Sequence, residues 1–219
     1  MNTNPSAKRI LCYGNSNTWG WVPNKMGSER FSIDKRWTGI LQNLLGNSYE
    51  VIEEGLGART TKFHDPRPEL PQRNGLESLL MILETHLPLD LVILMLGTTD
   101  TKEMFDVSPD KISDGLRALV KTIQEYKVLE GSNSPKILII VPPIVKEEAD
   151  FASKLFKGGT AKGKALKTLY SQVAIENGCS FLDPTAECPV DQTEGVHLTA
   201  ESHERLAKLI YTRLKSVKV

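Results

Sequence analysis

Charge of either sign is the first thing missing: the 219 residues carry 27 Lys and Arg against 27 Asp and Glu, a formal net charge of zero. Nucleic-acid and anionic-membrane binders rest on excess positive charge, so neither partner is expected. Cysteine is scarce as well. Cys12, Cys179 and Cys188 are odd in number, widely spread and without a C-x-x-C pair. A disulfide framework or a zinc ribbon needs even, closely spaced thiols, so all three are expected to be buried and free. No N-x-[ST] acceptor with a permitted middle residue occurs, and the first eight residues (MNTNPSAK) are too short and polar for a signal or transit peptide. Apolar runs fall far short of the ~20 residues that a spanning helix requires. These absences predict a cytoplasmic protein that binds neither membrane nor nucleic acid.

What is present is an ordinary globular composition, 40% hydrophobic and 25% charged. A chain of this length buries about 70% of its unfolded surface and needs no staple to fold. Residues 1–8 read as a flexible N-terminus and 9–219 as a single domain, with no internal repeat or linker. Short apolar runs at 9–14 (RILCYG), 49–54 (YEVIEE), 89–97 (LDLVILMLG), 136–143 (KILIIVPP) and 180–183 (SFLD) read as strands. The third and fourth lack alternation, as do strands covered on both faces of a parallel sheet. Helical spacing appears at Trp37, Ile40, Leu41, Leu44 and Leu45. It recurs at Ile112, Leu116, Leu119, Val120 and Ile123 after Ser108-Pro109, and at Leu206, Leu209, Ile210 and Leu214 after a Thr199 cap with Glu201 in the first turn. Alternating strands and helices predict an α/β fold, a parallel sheet with helices on both faces. Ligands of such sheets bind beyond the carboxyl ends of the strands. Two long loops, 61–73 and 142–160, are expected to act as lids or contact surfaces.

Four polar clusters follow strands or precede the last helix. Gly14-Asn15-Ser16 puts a serine just past the first strand, where either a nucleophile or a plain turn would sit. Gly55-Leu56-Gly57-Ala58 supplies small residues that let backbone amides approach developing negative charge. Gly97-Thr98-Thr99-Asp100 is the third. In Glu194-Gly195-Val196-His197 an acid three residues ahead of a histidine can accept Nδ1–H and leave Nε2 as a base, whereas His64, His86 and His203 have no such neighbour and read as structural. The stretch 158–165 (GGTAKGKA) nearly spells a phosphate loop, but Ala165 stands where a magnesium ligand belongs and no strand precedes it. Neither His203-Glu204 nor His64-Asp65 has the further ligand of a metal site.

In order and spacing these clusters resemble the SGNH (GDSL) hydrolase family, across nearly the whole chain. The flanks at 10–23 (ILCYGNSNTWGWVP), 36–39 (RWTG), 51–61 (VIEEGLGARTT), 86–91 (HLPLDL) and 95–102 (MLGTTDTK) are similar to its bacterial arylesterase/acyltransferase subgroup with perhydrolase activity. The resemblance implies a three-layer flavodoxin-like sandwich around a five-stranded parallel sheet. It implies Ser16 as nucleophile, His197 as general base and Glu194 as the acid that orients it. It also implies an oxyanion hole from Ser16, Ala58 and Thr99, a substrate pocket touching Trp19 and Val196, and no cofactor or metal. Trp19 has a second reading as core packing. The partner is then a small-molecule ester, and the long loops suggest a homo-oligomer.

Three positions depart from the family pattern. Asn15 stands for an Asp, Thr99 for an Asn whose amide donates to the oxyanion, and Glu194 for an Asp, with Asp191 a poorer substitute. Loss of one oxyanion donor costs about 10²–10³ in rate. The departures keep open a rival reading, a catalytically weakened binding protein. A third, a flavin protein, lacks the Ser/Thr-rich phosphate loop after the first strand.

Overall fold

A computed structural model describes residues 2–126 and 134–217; Met1, 127–133 and the last two residues, which fall within the expected N-terminal segment and domain, lie outside the described residues. Five strands form one all-parallel sheet in the order β2-β1-β3-β4-β5. They are β1 (Lys8–Gly14), β2 (Tyr49–Gly55), β3 (Leu91–Met95), β4 (Lys136–Ile140) and β5 (Ser180–Leu182). Every β3 residue is buried, as are the β4 residues beyond Lys136, which explains their unbroken apolar runs. The edge strands β2 and β5 are half-buried. Three strands are shorter than expected, β5 by a single residue. Gly97 turns the chain at φ 118° after β3, and Pro142 and Pro143, without N–H groups, follow β4.

Side chains of one strand alternate between two cores, as the two-residue strand period requires. Ile10, Cys12 and Ile93 meet α2 (Trp37–Leu45) and α6 (Ala200–Val217) through Trp37, Leu41, Leu206 and Ile210. Leu11, Tyr13 and Leu94 meet α3 (Gly75–His86), α4 (Pro109–Glu125) and α5 (Gly159–Glu176) through Leu79, Leu116, Leu166 and Val173. This is the three-layer α/β sandwich that the resemblance implied. Ser108 Oγ accepts from Lys111 N at 3.3 Å to start α4, and Thr199 Oγ accepts from Ser202 N at 3.2 Å to start α6.

Two helices longer than a single turn were not foreseen. In α3 apolar residues occur nearly all round, with Leu80 and Met81 exposed, so no single face stands out. In α5 a buried row (Gly163, Leu166, Tyr170, Val173, Ala174) is interrupted in sequence by lysines that read as a solvated basic stretch. Gly158, at φ 74°, introduces α5, and what precedes it is a short helical turn, Ala152–Lys154, rather than a strand. The loop 61–73 has no regular element, as expected. Of the three free thiols, Cys12 and Cys188 are buried but Cys179 is only half-buried, because it lies just before the edge strand β5. The N-terminal segment is tied to the β2 edge: Asn2 Nδ2 donates to Asn47 O and Tyr49 O, each at 2.9 Å. No helix among the described residues is long and apolar enough to cross a membrane.

Candidate active site

In register, Gly14 lies opposite both Gly55 and Met95, so the loops after β1, β2 and β3 leave the sheet at one level. Directly after β1 the chain makes a single helical turn, α1 (Ser16–Trp19). Asn15 caps it, its Oδ1 accepting from Asn17 N at 3.1 Å. Gly14 is required by close approach: a Cβ there would lie 2.0 Å from Thr18 Oγ and 3.1 Å from Met95 O. The cap has one flaw. Asn15 Nδ2 is buried without a partner among the described residues, a donor that the family's aspartate would not have introduced.

The loop before α6 is built around two carboxylates. Asp191 Oδ1 gathers Thr193 N (3.0 Å), Thr193 Oγ (2.7 Å) and Glu194 N (2.8 Å), which closes the turn. Glu194 then folds over the next residues, Oε2 accepting from Val196 N and His197 N at 2.9 Å each. Its Oε1 lies 2.6 Å from His197 Nδ1, and His197 Nε2 lies 2.9 Å from Ser16 Oγ. All three side chains are buried, with Ser16 7%, Glu194 3% and His197 4% exposed. Burial alone would raise the Glu194 pKa. The bond to His197, the charge of that ring and the two backbone N–H groups outweigh it and hold the carboxyl below its usual range. Asp191 does not reach the ring; its place is in the turn.

Two residues that the sequence reading missed complete this arrangement. Asn17 clamps α1 to the histidine loop, Nδ2 donating to Val196 O (3.3 Å) and Oδ1 accepting from Leu198 N (2.9 Å). Trp21 stacks on the His197 ring at 4.7 Å between centroids and 13° between planes. Both lie in the quoted block NSNTWGW, yet nothing in the block says that their partners are some 180 positions away.

A cavity of about 400 Å³ opens over Ser16 and His197, lined also by Trp19, Ala58, Thr99 and Val196, so each expected site residue other than Glu194 reaches its wall. Trp19 belongs to neither large core cluster. It is a wall residue, with the Arg30 guanidinium 5.1 Å from its ring centroid. Ala58 adopts φ 63°, a left-handed conformation that a non-glycine residue holds only when its surroundings impose it. The next residue, Arg59, is buried and stacked 4.2 Å from the Tyr13 ring centroid, and it donates from Nη1 to Gly14 O (3.0 Å) and to Glu54 O. Neither the Ala58 N–H nor the Thr99 hydroxyl has a hydrogen-bond partner among the described residues. Behind Thr99, Asp100 Oδ1 accepts from Thr61 N (2.8 Å) and Thr61 Oγ (2.5 Å), tying the β3 loop to the β2 loop. Complete burial outweighs those bonds and pushes the Asp100 carboxyl up to about 6.

Comparison with known proteins agrees with this architecture. Residues 12–205 match the GDSL-like Lipase/Acylhydrolase family. Among solved structures, a native M. smegmatis aryl esterase is 41% identical, with 96% of this chain and 99% of that one covered and a TM-score of 0.88. Est24, a carbohydrate acetylesterase from Sinorhizobium meliloti, is 38% identical with the same coverage and TM-score. Another S. meliloti carbohydrate acetylesterase family member is 34% identical, covering 95% of this chain and 98% of that one, with a TM-score of 0.89. No curated protein matches. With a family match over most of its length and a site assembled from the same four loops, the chain belongs to the GDSL-like lipase/acylhydrolase family, that is, to the SGNH hydrolases.

Proposed function

We propose that the protein is a serine esterase and acyltransferase that acts on small acyl esters of aryl or alkyl alcohols. The observation that carries this reading is the unbroken hydrogen-bonded chain from Glu194 through His197 to Ser16 at the wall of a cavity. A hydroxyl is a weak nucleophile until a neighbouring base takes its proton, and this base is oriented by a carboxylate. His197 Nε2 accepts the Ser16 proton as Oγ bonds to the ester carbonyl carbon. The carbonyl oxygen, now anionic, faces the Ser16 and Ala58 N–H groups and the Thr99 hydroxyl. Glu194 stabilises the imidazolium. As the tetrahedral species collapses, the carbon–alkoxy bond breaks and His197 returns the proton to the leaving alcohol. Water or a second alcohol, deprotonated by His197, then attacks the acyl-serine, and Ser16 leaves with its proton restored.

The neighbours named as an aryl esterase and carbohydrate acetylesterases support acetyl as the acyl group. The test is labelling by a fluorophosphonate together with hydrolysis of 4-nitrophenyl acetate. Ser16 is expected to be labelled, and both signals are expected to vanish in Ser16→Ala. No labelling and no turnover above background would leave the weakened binding protein as the better account. We further propose a cytoplasmic homo-oligomer with loops 61–73 and 142–160 between subunits; a monomeric mass by light scattering would refute the assembly.

A further inference from the structure

The cavity wall has an uneven charge. Arg67, Arg73 and Lys102 line it, and no Asp or Glu does. Arg67 has a local counter-ion: its Nε donates to Asp65 Oδ1 at 2.8 Å, and its Nη2 is paired with Oδ2. Arg73 donates from Nη1 to Pro71 O at 2.5 Å, while its Nε is buried without a partner among the described residues. Lys102 is the unusual group. It is only 7% exposed, yet no carboxylate lies within salt-bridge distance and no acceptor receives its protons among the described residues. Its Nζ lies 5.7 Å from the centroid of the Phe156 ring.

Two carboxylates, Asp65 and Asp100, act on Lys102 through their charge without coming within salt-bridge distance of it. Asp65 is engaged by Arg67 through both oxygens. Asp100 is turned to Thr61. The stem of Lys102 is buried but its ammonium is not sealed off: it opens onto the cavity, where an anion can meet it directly. Burial first, and then repulsion from Arg67, lowers the Lys102 pKa to about 8, with Asp65 and Asp100 opposing that shift. At neutral pH the group is still largely cationic.

We infer that the cavity selects esters that carry a carboxylate, seated on Lys102 with Arg67 and Arg73 beside it. This rests on Ser16 being the nucleophile, and it adds a substrate class that the catalytic residues alone do not specify. The carboxylate supplies the acceptor that Lys102 lacks, in a pocket whose wall away from the reacting groups includes Trp19, Trp21, Leu70, Phe151, Leu155 and Phe156. Lys102 follows directly on the turn Thr99–Thr101 and lines the same cavity as Ser16 and His197, so one ligand can reach both. The anion can belong to the acyl half or to the alcohol half of the ester.

Matched pairs separate these cases. Mono-4-nitrophenyl adipate against 4-nitrophenyl hexanoate tests the acyl half; 4-acetoxybenzoate against 4-acetoxybenzamide tests the alcohol half. The readout is the ratio of kcat/KM, anionic over neutral. In at least one pair the ratio is expected to reach about 10–100, the range for a hydrogen bond between charged groups. It should fall toward one in Lys102→Met and, in smaller measure, in Arg67→Gln. Ratios at or below one in both pairs, with the neutral esters turned over, overturn the inference and leave the esterase intact. Calorimetry gives a readout free of turnover: adipate or 4-hydroxybenzoate should bind at least tenfold tighter than its neutral amide. Equal binding of acid and amide, for both, overturns the inference even if Ser16 proves inert.

Discussion

Two buried histidines six residues apart, His197 and His203, have opposite surroundings. His197 has a partner on each ring nitrogen, a carboxylate on Nδ1 and a hydroxyl on Nε2, and an indole stacked on its face. His203 Nδ1 accepts one backbone bond, from Trp37 N at 3.3 Å, its Nε2 has no partner among the described residues, and Phe31 meets the ring edge-on. Burial, with Arg36 and His197 nearby, pushes His203 down to about 3, so it stays neutral through the physiological range. A buried imidazole becomes a base only where a fixed anion stabilises its charged form, and burial by itself works against that.

Removing the reactive pair gives the sharpest contrast. Ser16→Ala or His197→Ala should lower kcat by about 10⁴-fold or more, since triad members act as a unit. His203→Gln should stay within a few-fold of the parent in the same 4-nitrophenyl acetate assay. A large loss in His203→Gln that is not accompanied by unfolding would break the contrast.

Glu194→Gln comes next. It keeps the size but not the charge, and about a 10³–10⁴-fold fall in kcat is expected, as for other triads deprived of their carboxylate. Circular dichroism should show the fold retained. A near-parental rate would mean that the backbone bonds alone orient the ring.

Asn17→Ala tests the clamp between the serine turn and the histidine loop. It removes two buried hydrogen bonds and should destabilise by about 1–3 kcal/mol in urea unfolding. A roughly tenfold lower kcat should accompany it, because small misplacements of reacting groups are expensive. Unchanged kcat would show that the loop holds itself.

The last test turns on pH. His203 binds its proton far more weakly folded than unfolded, where its pKa is about 6.5. Its neutral form therefore supports stability fully above that value, and the support is lost as pH falls from there toward about 3. His203→Gln should flatten this part of the acid limb, by of order 2 kcal/mol between pH 7 and 4.5. An identical slope in both proteins would place the acid sensitivity elsewhere, for instance at Glu194. That carboxyl also loses its contribution as acid protonates it through a folded-state pKa held below the ordinary value.

Much of the fold could be read from the chain, and the unread parts have physical reasons. The runs at 89–97 and 136–143 announced central strands, of which 91–95 and 136–140 form, because a strand covered on both faces is apolar throughout its buried part, here all but the exposed Lys136. The helix α4 was equally plain, with one apolar face and a Ser-Pro start. In α5 lysines obscured the buried row, and in α3 apolar residues continued onto the exposed side, so neither pattern marked a single face. At the site, Glu194 and His197 were recognisable as a pair because their contact is local, three positions apart.

Residue identities and local spacing thus set the strands, most of the helix faces, the serine turn and the Glu194–His197 pair, since each depends on neighbours a few positions away. Whether Ser16 meets that pair across 181 positions, whether Trp21 covers the ring, and whether Lys102 ends up buried without an anion were decided by chain topology. The parallel sheet brings distant strand ends to one level, and contacts made there have no counterpart in the linear pattern.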